Sequence, residues 1–117
     1  MPMAPKYRSA LAKLRTGILP LEIEVGRYRN LPEDERFCKI CDTGLVEDEL
    51  HFLFNCPAYD DIRKSFFFDK AKQCISNFLD MDIHSKFSAI MESRCVRETA
   101  RFVYNAYMAR RRIVYPM

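Results

Sequence analysis

The chain has 117 residues, 49% of them hydrophobic and 13% aromatic, with a formal net charge of +3. That composition excludes a disordered polar tail, and the length suits one domain with a modest core, or a piece of one. No apolar run approaches the roughly 20 residues that cross a bilayer, and "MPMAPKYRSALAKLR" lacks a signal peptide's apolar stretch, so an intracellular setting, nucleus or cytoplasm, is expected.

From the N-terminus, Tyr7 to Thr16 reads as a helix: Leu11 and Leu14 share a face, and Gly17 suits the left-handed cap position. "PLEIEVG" supports two readings. Its alternation of Leu21, Ile23 and Val25 with two glutamates suggests a strand, whereas Pro20 before it and Gly26 after it suggest a short helix, which is preferred. "RNLPEDE" is a polar connector, and Phe37 to Gly44 is expected to form a tight hairpin around a cysteine pair. "EDELHFLFNC" is helical in composition, with acidic residues at the positive end of the dipole. Pro57 then opens a helix, "PAYDDIRKSFFF", followed by helices over "KAKQCISNFL" and "IHSKFSAIM" and a longest one from about Ser93 to Arg112.

The pattern with the most chemistry is Cys38-x2-Cys41-x9-His51-x4-Cys56. Two cysteines with two residues between them form a knuckle whose backbone amides can turn toward the sulfurs, and Gly44 permits the tight turn that follows. His51 and Cys56 sit on and just past one short helix and can return to the same point. Three thiolates and an imidazole at about 2.0–2.3 Å make the closed tetrahedron of a structural zinc ion, with no position left for water. The competing reading is three buried thiols and an incidental histidine; a Cys-x2-Cys pair followed by His-x4-Cys weighs against it. A redox role for the pair is disfavoured because no βαβ pattern surrounds it. Cys74 and Cys95 fall at apolar helical positions and read as core, and His84 is given no role.

"LRTG", "LEIEVGRY", the "P-x-x-E-R-F-C" approach and "C-x2-C … E-D-E-x-H-F-L-x-x-C" together resemble the region downstream of the polymerase core in non-LTR (LINE-type) retrotransposon reverse transcriptases. The late "ARFVYNAYMARRR" is similar to the basic aromatic helix that ends such proteins, so the resemblance runs from about Tyr7 to Arg112. It implies that Cys38, Cys41, His51 and Cys56 are the family's zinc ligands and that the module helps a reverse transcriptase hold template RNA or target DNA. It also implies a C-terminal fragment or domesticated remnant without a polymerase palm, hence no enzyme. "AYDD" imitates a polymerase tetrapeptide, but that motif needs a residue between the aromatic and the two aspartates. Here Tyr59 is adjacent to Asp60 and Asp61, and Pro57 opens a helix, where the two carboxylates complement the dipole. The retroviral zinc knuckle shares the His-x4-Cys end, but its central loop is much shorter, and its guanine-binding mode is not carried over.

Charge is unevenly spread. Residues 1–30 hold six basic and two acidic side chains, residues 31–93 seven and thirteen, and residues 94–117 six and one. Along the last helix Val96, Ala100, Phe102, Val103, Ala106 and Tyr107 make a core stripe. Arg94, Arg97 and Arg101 recur on the opposite face, and Arg112 returns to it five turns later, with Arg110 and Arg111 thickening the end. These six arginines are the candidate phosphate contacts; a merely solvated face is the bland reading. Phe66, Phe67, Phe68, Phe102 and Tyr104 could stack bases but read mostly as core.

The expected fold is mostly α, a small helical domain organised around a Cys3His zinc knuckle with a short β-hairpin. Residues 1–36 form an N-terminal helical segment and connector, 37–60 the CCHC zinc-binding module, and 61–117 a C-terminal helical region with a basic terminal helix. The expected cofactor is one structural Zn2+. The expected partners are RNA or DNA and the polymerase core of a reverse transcriptase, with no membrane and no small-molecule substrate. The rival expectation is a zinc-stabilised protein-interaction module without nucleic-acid binding. Continuity of positive surface across Lys13, Arg15, Arg27, Arg29 and the terminal helix separates the two.

Overall fold

A computed structural model describes residues 3–65, 71, 73, 75, 77–92 and 96–114. The described chain is mostly helical, as the composition and periodicity predict. Helix α1, Pro5–Arg15, begins on a proline that needs no N–H partner there and buries Ala10, Leu11 and Leu14. It stops where Gly17 takes φ +74°, the left-handed conformation for which glycine carries no steric cost. The ambiguous "PLEIEVG" segment resolves as a short helix, α2, Glu22–Val25. Gly26 follows it but does not turn the chain. A tighter helical turn, Gly26–Arg29, continues to Asn30, and it is Asn30 that adopts φ +60°. Gly26 serves a different purpose: a Cβ there would lie 2.6 Å from Arg36 Cγ. Arg36 needs that space because its guanidinium bonds the carbonyls of Leu31 and Ile23 at 2.8–3.0 Å.

The β-hairpin expected over Phe37–Gly44 does not form. Among the described residues there is only one isolated antiparallel bridge, Phe37 to Val46, and no strand. The ladder is short for a physical reason: just past Phe37 the chain must curl Cys38 and Cys41 inward, and just past Val46 the Glu47 side chain dives into the core.

Pro57 starts a tight turn, Pro57–Tyr59, followed by α3, Asp60–Arg63. The expected continuation of this helix through Phe66, Phe67 and Phe68 lies outside the described residues, as do Cys74 and Cys95. Of the "KAKQCISNFL" helix, Ala71 and Gln73 are helical, and a turn, Phe78–Asp80, follows. Helix α4, Ile83–Glu92, is started by Asp82, whose carboxylate accepts from the Ser85 N–H and hydroxyl at 2.9 Å. The last helix, α5, is Val96–Val114.

The core gathers around α5. Phe102 packs against Phe52 with ring centroids 5.9 Å apart, and Phe52 meets Tyr59 edge-on at 5.2 Å. Ala100, Val103 and Ala106 are fully buried, with Val96 and Tyr107 packed against the same cluster, which matches the predicted stripe. Leu11 and Leu14 of α1, with Leu19 and Leu21 just beyond it, belong to the same cluster. The segment that carries the cysteines and His51 is therefore pinned by Phe52, Leu53 and Tyr59 to the longest helix.

Candidate metal centre

The first half of the site is the cysteine loop. Its base is closed by two backbone bonds, Cys38 N–H to the Leu45 carbonyl at 2.8 Å and Glu47 N–H to the Arg36 carbonyl at 3.0 Å. Above them the Ile40 N–H points at Cys38 Sγ, 3.4 Å away, as a knuckle requires. Gly44, at φ +72° with open space around it, brings the chain back.

The second half is one wide helical turn, His51–Asn55. Asp48 starts it by accepting the His51 N–H at 2.8 Å, and it closes when the Cys56 N–H donates to the His51 carbonyl, five residues back, at 2.8 Å. Such π-type turns are costly in isolation and concentrate at functional sites. Here the turn links the two residues whose side chains must meet.

A buried arginine holds that turn. Arg63 donates through Nε to the Leu53 carbonyl at 2.8 Å and through Nη2 to the Phe52 carbonyl at 3.2 Å. Its Nη1 reaches Asp60 at 2.7 Å, and its guanidinium lies 5.5 Å from the Phe102 ring. Burial pushes the Arg63 pKa down, with the Asp60 charge opposing. The aspartates of "AYDD" thus sit in the first turn of α3, with Asp60 serving as a partner for Arg63. Replacing both with asparagine is expected to cost about 1 kcal/mol or less in a urea titration. A variant stripped of bound metal, or of any polymerase activity, would contradict this assignment.

The two halves meet. One donor atom from each of Cys38, Cys41, His51 and Cys56 lies within 4.8 Å of the others, the one such group among the described residues. Cys38 Sγ is 3.9 Å from Cys56 Sγ, and Cys41 Sγ is 3.5 Å from His51 Nε2. A tetrahedral ion with bonds of about 2.3 Å to sulfur and 2.0 Å to nitrogen has S···S and S···N edges of about 3.8 and 3.5 Å. The residues therefore fit a metal ion such as zinc. Cys38, His51 and Cys56 are buried and Cys41 is half-buried, with Thr43 Oγ1 3.1 Å from its sulfur. His51 Nδ1 is buried without a hydrogen-bond partner, so packing, not the usual second bond from that nitrogen, orients the ring.

The four ligands perturb one another's protonation. The Cys38 thiol is held well below its ordinary range, first by a hydrogen bond from Cys56, with a further one from His51, while burial opposes. Cys56 is pushed up in return by its bond to the Cys38 thiolate and by burial. His51 is raised by its bond to Cys38. Metal binding must displace the protons these ligands hold, so affinity for a cation depends on pH.

The predicted phosphate contacts divide. Arg97, Arg101, Arg111 and Arg112 are exposed, and Arg94 lies outside the described residues. Arg110 is a correction: it is 2% exposed and belongs to the interior, not to the basic edge. Its Nε and Nη2 grip both carboxylate oxygens of Glu47 at 2.8 Å, and Glu22 stands 3.6 Å away. Burial works against the Arg110 charge, yet Glu47 more than offsets it and the pKa is raised. The Glu47 carboxylate also accepts the Glu22 N–H at 2.7 Å. This cluster ties α2, the segment that carries the cysteines and His51, and α5 together. Of the N-terminal cations, Arg27 pairs with Glu24 at 2.8 Å and Arg29 with Glu22 at 3.3 Å, which interrupts the expected continuous positive surface.

Reading the sequence missed Glu47, Glu22 and Arg63. A signal for Arg110 was present: it stands four residues past Ala106 and seven past Val103, on the buried stripe. Nothing local marks Glu47 among the acidic residues beside it.

No family model, curated protein or solved structure matches this chain. The resemblance to the retrotransposon region therefore stands on the sequence stretches between about Tyr7 and Arg112 alone.

Proposed function

We propose that the chain is a zinc-stabilised module that binds nucleic acid as the accessory region of a retrotransposon-type reverse transcriptase, with the polymerase chemistry supplied elsewhere. The convergence of Cys38, Cys41, His51 and Cys56 on one point carries the proposal, because it gives the ligand motif of the resembling region a matching geometry. Four protein ligands leave no position for water or substrate, so the ion's role is to hold the fold. Exposed Arg97, Arg101, Arg111 and Arg112 on α5 supply phosphate contacts.

The rival reading, a protein-interaction module, is favoured by Phe37 and Leu45, which are 48% and 51% exposed on the flanks of the cysteine loop. A filter-binding titration of the zinc-loaded chain against RNA and DNA at several salt concentrations separates the two. Binding is expected to weaken steeply with salt and to depend little on sequence. Replacing Arg97 and Arg101 with glutamine is expected to flatten the log–log slope by about 0.7–0.9 for each phosphate that is no longer neutralised, with metal content unchanged. A chain that binds neither RNA nor DNA at low salt is the protein-interaction module.

A further inference from the structure

Helices α1 and α5 share a groove of about 370 Å³. Its rim is cationic: Lys6 and Lys13 stand on α1 and Arg111 on α5, and all three are exposed. Seven residues separate the two lysines, so they lie two turns apart on one face of the helix, about 10.5 Å along its axis. The rest of the lining is largely apolar, with Leu19 buried, Met108 half-buried and Pro20 exposed.

No aspartate or glutamate is among the described residues that line this groove, although the chain carries 16 acidic side chains. Lys6, Lys13 and Arg111 have no carboxylate partner among the described residues, whereas Arg27, Arg29, Lys39, Arg63 and Arg110 each have one. Uncompensated cations around a concave surface concentrate anions there. The aromatic side of the groove is already occupied from within. Lys6 Nζ lies 5.2 Å from the centroids of both Tyr7 and Tyr104, which meet edge-on at 5.3 Å. Tyr107 packs against the core and has its own interaction within the chain.

We propose that this groove docks an acidic amphipathic helix of a protein partner. Two carboxylates two turns apart on that helix meet Lys6 and Lys13, Arg111 takes a third, and an aliphatic side chain between them covers Met108 and Pro20. A helix laid in a groove presents both kinds of group on one face, at i, i+3 or i+4, and i+7. A nucleic acid satisfies the cations equally well, but it brings no aliphatic side chain to the apolar lining, and the tyrosines beside it are engaged already. Of the phosphate contacts proposed above only Arg111 lines the groove, so the two surfaces can be tested apart.

The test uses fluorescence anisotropy with the zinc-loaded full chain and a labelled alanine-based peptide of about 20 residues, long enough to be helical. The peptide carries glutamate at i and i+7 and leucine at i+3 and i+4. Replacing its glutamates with glutamine, or its leucines with serine, is expected to weaken binding by on the order of tenfold in each case. In the chain, Ser9→Glu is the most direct variant. Ser9 is exposed and lines the groove, and a glutamate there stands three residues from Lys6 and four from Lys13, where it neutralises both while supporting the helix. It is expected to weaken the peptide about tenfold, as is Lys6→Gln with Lys13→Gln. Arg8→Gln with Arg97→Gln removes two exposed cations outside the groove and is expected to change affinity by less than about twofold. Unchanged zinc content and helicity show that each variant is folded. Equal losses in the two double variants would mean diffuse attraction and overturn the groove assignment. If Ser9→Glu weakens a short oligouridylate but not the peptide, the groove takes phosphates and the assignment fails while the nucleic-acid reading stands. A wild-type chain that does not bind the peptide at low salt also overturns the assignment, and the filter-binding titration then decides the nucleic-acid reading by itself.

Discussion

Chelating the metal is expected to unfold at least residues 37–60 and to lower the stability of the whole domain. Structural zinc supplies roughly 10–16 kcal/mol of apparent binding energy in small domains, comparable with the roughly 5–15 kcal/mol by which an entire domain is stable. Two features of the structure underlie this expectation. Cys38 and Cys56 are buried with their sulfurs 3.9 Å apart, and without a cation a weak thiol hydrogen bond is what joins them. One backbone bridge cannot hold the cysteine loop closed. Circular dichroism melts before and after chelation should differ by tens of degrees, given that about 1 kcal/mol shifts the midpoint of a domain this size by a few degrees. Acid should have the same effect, because the cysteines and His51 must give up their protons to bind metal, and affinity therefore falls as pH falls. A melt unmoved by chelation would show that the fold is held by its core alone.

The second large effect is expected at Glu47. Its side chain is fully buried, and both of its oxygens bond Arg110, itself 2% exposed. Glu47→Ala removes the acceptor and leaves a guanidinium in the interior facing only Glu22, an uncompensated charge worth about 3–5 kcal/mol. Such a loss takes much of the domain's stability and should appear as a sharp drop in the urea midpoint. Replacing the pair together, Glu47→Leu with Arg110→Met, should recover most of it, since apolar side chains of similar volume need no counter-charge. If Glu47→Ala costs less than about 1 kcal/mol, the pair is not a structural tie.

These two effects also mark what the sequence could and could not reveal. The Cys3His cluster was legible because its four residues lie within 19 residues of one another in a spacing that suits a metal ion. Helices α1, α4 and α5 were legible because their apolar periodicity is local. The tight hairpin expected around the cysteine pair does not form, because the inward turn of the cysteines and of Glu47 limits pairing to Phe37 and Val46. The Glu47–Arg110 bond joins residues 63 apart, and no local pattern distinguishes Glu47 from Asp48 or Glu49. Arg110 was misplaced because three successive arginines look alike until the helix phase assigns the first to the core. Arg63 was missed for a related reason, since its partners are backbone carbonyls of a turn whose width the sequence does not state.

Elemental analysis of the chain, purified without added metal, addresses the site most directly, with Cys56→Ser beside it. One zinc per chain is expected in the wild type. The variant, which gives up a buried thiolate 3.9 Å from Cys38 Sγ, should retain little or none under the same conditions. A wild type free of zinc, or a Cys56→Ser chain that holds zinc as tightly as the wild type, would contradict a closed Cys3His centre.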